Sequence, residues 1–153
     1  MESIQMVNIK EQVLMTNVTP LRPKTGADTE KITINLGYVD LGQIDLLVQE
    51  GFYSNRTDFI RTAIRNQLTQ HAQVVQQTVV RKTLELGLRH YTKQDLETVK
   101  KAGEQLSIQV VGLATIASDV SPELALETIA AITVLGVLQA SPEVKAALAS
   151  RIT

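Results

Sequence analysis

Residues 31–36 read Lys31-Ile32-Thr33-Ile34-Asn35-Leu36, polar and apolar in strict alternation. A period of two predicts a half-buried strand, with Ile32, Ile34 and Leu36 on its inner face and Lys31, Thr33 and Asn35 on its outer face. No second strand stands beside it in the sequence. Instead Leu41, Ile44, Leu47 and Val48 recur at helical spacing, and Gly51 supplies a stop. A second helix opens at Asn55-Arg56-Thr57-Asp58, where Asn55 is a good N-cap and Asp58 completes a pair of the capping-box kind. Phe59, Ile60, Ala63, Ile64 and Leu68 give that helix an apolar side. One strand and two short helices bury too little to fold alone, and a lone strand leaves its backbone groups unpaired. A dimer resolves both problems. Two copies of the strand pair antiparallel, four helices cover the apolar face, and Lys31, Thr33 and Asn35 are left outward.

The run KITINLGYVDLGQIDLLVQEGFYSNRTDFIRTAIRNQL resembles a ribbon-helix-helix DNA-binding domain of the CopG/MetJ/Arc type. The resemblance rests on the alternating strand, on GFYSNRTDFIRTAIR, and on the spacing between them. It implies an intertwined dimer that lays a two-stranded ribbon in the DNA major groove. Lys31, Thr33 and Asn35 are then the base-reading candidates: lysine donates to guanine, asparagine pairs bidentate with adenine, and threonine meets a polar edge or a thymine methyl. Ile32, Ile34 and Leu36 form the dimer core. Asn55, Arg56 and Thr57, at a helix start rich in free amides, are the phosphate-binding candidates.

The rest of the chain repeats. Leu84-Glu85-Leu86-Gly87-Leu88, Gln109-Val110-Val111-Gly112-Leu113 and Thr133-Val134-Leu135-Gly136-Val137 share one pattern, and their glycines stand 25 and 24 residues apart. Each is followed by a helix start: Thr92-Lys93-Gln94-Asp95, Ser121-Pro122-Glu123 and Ser141-Pro142-Glu143. Leu96 and Val99, Leu124 and Ile129, and Val144 and Leu148 supply the apolar positions that follow. Three strand-helix units of this length predict a short parallel, solenoid-like sheet. Such a sheet has open edges that invite a second copy. The expected fold is thus an α+β ribbon-helix-helix domain followed by an α/β repeat domain. Residues 1–29 form a flexible arm, with a short element near 7–13. Residues 30–70 bind DNA, 71–80 link or extend the second helix, and 81–153 oligomerise.

Composition narrows the function. Fifteen Lys and Arg stand against sixteen Asp and Glu, for a net charge of −1. DNA contact must therefore come from a local surface rather than a global field. Arg22 and Lys24, in a Pro-rich stretch, are candidates for an arm that reaches DNA. Aromatic residues make up only 3% with no Trp, which disfavours a base-stacking platform or an aromatic ligand pocket. There is no Cys, and His71 and His90 are the only histidines. Disulfides and thiolate sites are excluded, and neither a metal site nor a cofactor is expected. Glu123 and Glu143, in first turns, read as partners of helix dipoles rather than as an acid-base pair. No catalytic triad and no phosphate-cradling glycine loop is present, so an enzyme is not expected. No leader or membrane span is visible, and a cytoplasmic protein associated with a bacterial nucleoid or plasmid is expected. The expected function is a DNA-binding transcriptional regulator, a repressor of autoregulatory or plasmid type. The alternatives are an antitoxin of a toxin-antitoxin pair and a DNA-anchored structural assembly protein.

Overall fold

A computed structural model describes residues 29–153; the expected element near 7–13 and the arm residues Arg22 and Lys24 lie outside the described residues. Residues 29–37 contain neither helix nor strand. Among the described residues the predicted strand at 31–36 has no partner, and a ladder cannot form without one. Three helices follow: α1 (Tyr38–Gln49), α2 (Arg56–Gln70) and α3 (Ala72–Arg81). Helix α1 ends where Gly51 takes a φ of 84°, and the amides of Gly51 and Phe52 return to the carbonyls of Val48 and Leu47 at 3.1 and 3.0 Å. Such an ending needs a left-handed residue, which glycine supplies without strain. Helices α2 and α3 are separated by His71 alone, whose amide still bonds to the carbonyls of Gln67 and Leu68. Residues 72–81 therefore nearly continue α2.

Burial across these helices is sparse. Ile44 is their one buried residue, and Tyr38, Val39, Leu46, Phe52, Ile64, Leu68, Val74 and Val80 are exposed.

Beyond Arg81 the chain alternates strand and helix: β1 (Glu85–Tyr91), α4 (Lys93–Lys101), β2 (Leu106–Ile116), α5 (Pro122–Thr128), β3 (Ile129–Gln139), α6 (Pro142–Ala147) and a final 3-10 turn (Ala149–Arg151). The strands form one parallel sheet in the order β1-β2-β3. The three units recognised in the sequence are therefore present, and their repeat is structural. Gly87 pairs with Gly112, and Gly112 with Gly136. All three have φ between 126° and 138°. A Cβ on Gly112 would sit 2.1 Å from the Gly87 carbonyl oxygen, and one on Gly136 at 2.1 Å from that of Gly112. Only glycine fits those two places.

Helix starts follow the capping signals. Thr92 and Asp95 form a reciprocal capping box, with the Asp95 amide donating to the threonine hydroxyl at 3.1 Å and the Thr92 amide donating to the aspartate at 2.8 Å. The Ser121 and Ser141 hydroxyls accept from the amides of Leu124 and Val144, each at 3.2 Å. One assignment changes. Ile129, expected in a helix, is the first residue of β3, because α5 passes into the strand with no intervening loop. The β-branched pair Thr128-Ile129 favours that early change to extended backbone.

The core lies between one face of the sheet and its helices. Leu96 from α4, Leu124 and Ala125 from α5, and Val144 from α6 meet Ile108, Val110, Ala114, Ile116, Ile129 and Ile132 from the strands. Thr128 is fully buried and its hydroxyl donates to the Leu124 carbonyl at 2.6 Å. Near the end of the described chain, one Arg151 guanidinium nitrogen donates to the carbonyls of Leu126 and Ile129, both at 2.6 Å. This satisfies oxygens at the end of α5 that have no helical partner. Ile152 bridges to Ile132, and the Thr153 amide donates to the Ile132 carbonyl at 2.8 Å, covering the start of the outer edge of β3.

Candidate nucleic-acid interface

The start of α2 is built tightly. Asn55 lies in extended backbone, and its side-chain oxygen accepts from the Asp58 amide at 2.9 Å. The Asp58 carboxylate accepts in turn from the Ser54 amide at 3.0 Å, one residue earlier than a capping box requires. The Tyr53 and Phe59 rings meet edge to face, centroids 5.0 Å apart. From α1, Asp45 receives both Nε and Nη2 of Arg56 at 2.6 Å. This forked pair joins α1 to α2. The hydrogen bond from Arg56 holds the Asp45 carboxyl below the usual carboxylate range, and the same bond raises the guanidinium.

The Arg56 side chain is thus occupied within the fold. What it leaves at the helix start is the main-chain amide, together with that of Thr57. First-turn amides have no helical acceptor and lie at the positive end of the helix dipole. Ser54, Asn55, Thr57, Asp58, Arg61 and Arg65 line one shallow concavity there. Asn55 and Thr57 lie beside one another there, and two further cations join them. Arg61 and Arg65 were missed although a signal existed: with Thr57 they stand four residues apart on one side of the helix. Both are exposed, and neither forms an ion pair among the described residues.

Lys31, Thr33 and Asn35 are all exposed. So are their apolar alternates: Ile32 is 73% exposed, Ile34 54% and Leu36 41%. Among the described residues nothing covers these apolar side chains. His71 joins α2 to α3 and His90 lies on β1, and no group of three or more metal-binding side chains forms among the described residues. No described helix is long and apolar enough to cross a membrane.

A model of the ribbon-helix-helix transcriptional regulator family matches residues 27–145. An uncharacterized protein of Methanocaldococcus jannaschii is 42% identical over 43 residues, which cover 28% of this chain and 44% of that protein. The chain therefore spans less than half the length of this relative. No solved structure matches.

Proposed function

This chain belongs to the ribbon-helix-helix transcriptional regulator family, and on that premise we propose that it is a sequence-specific repressor acting as an intertwined dimer. Membership implies DNA binding in transcription regulation, usually by a dimer. In the proposed mechanism the paired 31–36 segments enter the major groove, where Lys31, Thr33 and Asn35 read base edges. The start of α2 holds the flanking phosphates through the amides of Arg56 and Thr57, the cap region at Asn55, and the side chains of Arg61 and Arg65. Residues 81–153 join dimers into a higher oligomer, and the bound assembly occludes a promoter, its own gene's among the first to test.

One observation supports this reading above the others. Ile44 is the one buried residue of α1 to α3, while Ile32, Ile34 and Leu36 stay exposed in strict alternation. An apolar row and three helices with almost no core call for a second copy of the same segment. The antitoxin reading is weaker, because residues 85–151 carry capped helices and a buried core of their own instead of a tail awaiting a partner.

Footprinting on DNA upstream of its own gene tests the reading. Asn35→Ala should keep the fold and lose about 1–3 kcal/mol of discrimination at one base position. Arg61→Ala should weaken binding at every sequence alike and reduce the salt slope by about 1. Unchanged affinity in the triple Lys31, Thr33 and Asn35 alanine variant would reject the ribbon as the reading surface.

A further inference from the structure

Among the described residues, helices cover only one of the two faces of the sheet. On the open face two rows cross all three strands in register: Leu86-Val111-Leu135 and Leu88-Leu113-Val137. Leu86 and Leu88 are each 66% exposed and Leu135 is 57% exposed. Polar residues border the rows, with Gln109 and Thr133 on one side and His90, Thr115 and Gln139 on the other, and none of them is Lys, Arg, Asp or Glu. The one ion pair on β1, Glu85 with Arg89, belongs to the opposite alternation, in register with the buried Val110 and Ala114. Parallel sheets are ordinarily covered on both faces, and an apolar centre within a polar rim has the anatomy of an interface.

We propose that this face packs against the same face of a second copy of the chain, which rests on the reading above that the protein is a ribbon-helix-helix dimer that self-associates through its repeat domain. Area selects the occupant. Seven residues at about 3.3 Å each, across three strands about 4.8 Å apart, make a face of roughly 330 Å2. Pairing two such faces covers roughly 700 Å2, short of the roughly 1,200 Å2 that an independent partner needs for stable association. A second copy needs less where it is the other chain of the proposed N-terminal dimer, which would hold the two chains at an effective concentration of about 1 mM. A face free of Lys, Arg, Asp and Glu also suits its own copy, as an isologous contact requires.

The chain has no cysteine, so one introduced thiol reports one position. In the full-length protein Leu88→Cys should alkylate at least about tenfold more slowly than Lys101→Cys, an exposed control on α4. Adding Leu135→Glu, on the far strand of the same face, should restore the control rate. Leu113→Cys, at the centre of the face, should be joined to its twin by a short bis-maleimide. Equal rates at Leu88→Cys and Lys101→Cys would overturn the proposal. So would protection that survives Leu135→Glu, which points to pairing along the β1 edge, and so would protection that vanishes when residues 1–28 are removed. Light scattering separates this result from the wider reading. A mass above the dimer with free thiols rejects this face and leaves self-association standing. Protected thiols in a strict dimer keep the face and place the pairing within one dimer.

Discussion

Three helices of this protein end in the same hydrogen-bonded turn, and they differ in the residue that takes the left-handed position. After α1 it is Gly51, after α4 it is Gly103, and after α3 it is Thr83, with φ of 84°, 67° and 54°. The bonds match: Thr83 and Leu84 return to Val80 and Val79 at 3.1 and 2.9 Å, as Gly103 and Glu104 return to Lys100 and Val99. A β-branched residue there is strained. Thr83→Gly should therefore stabilise the protein by about 1 kcal/mol, read as a higher urea midpoint at unchanged slope. A second prediction concerns pH. The Arg56 hydrogen bond holds Asp45 low, and the Thr92 amide does the same for Asp95. A depressed carboxyl contributes stability that is present above its unfolded value and lost as pH falls through its folded value. Helicity of the wild type should thus decline more steeply than that of Asp45→Asn as pH falls below the ordinary carboxylate range. Parallel acid titrations would reject a role for this pair in acid sensitivity. The Asp45–Arg56 contact was not legible in the sequence, because nothing local marks a partner eleven residues away across a turn.

At the scale of elements, the glycine column makes an ordered prediction. Gly112→Ala puts a methyl group against a backbone oxygen that cannot move aside, at 2.1 Å. The loss should reach about 4 kcal/mol or more, enough to melt the repeat domain. Gly87→Ala meets nothing within 4 Å. Its cost comes from the dihedral alone, about 1–3 kcal/mol. Thermal melts of the two variants should rank in that order, and equal losses would show that close approach is not what fixes the glycine. Much of this domain was legible. The glycine spacing and the Ser-Pro-Glu starts gave the number of units and the place of each helix. β2 and β3 are longer than the five-residue patterns suggested, because apolar side chains continue to alternate on both sides of Gly112 and Gly136. The Arg151 closure left no trace in the pattern, since its acceptors lie 22 and 25 residues away.

At the scale of the molecule, the sequence pattern predicts a strand at 31–36, and among the described residues that segment is neither strand nor helix and has no partner. Ile34→Asp should abolish N-terminal dimerisation, since a charge within an apolar ribbon costs several kcal/mol, more than so small a domain can spare. A normally dimeric, DNA-binding Ile34→Asp protein would reject the inner face assigned to the ribbon. Removing residues 82–153 should leave a dimer with the same base preference. If residues 81–153 join dimers as proposed, it should also weaken operator binding and flatten the binding curve. Light scattering and titration of operators carrying one or two sites, at a spacing of about 10–10.5 bp or a multiple, check both points.

The aligned glycines also bear on register. A slip of one residue turns every side chain of a strand to the other face, and it also moves each glycine off its partner. At the native positions a carbonyl of the neighbouring strand stands 2.1 Å from where a Cβ would be, so a residue with a side chain is not accommodated there. The column is thus expected to favour the register that sets glycine against glycine over its near neighbours.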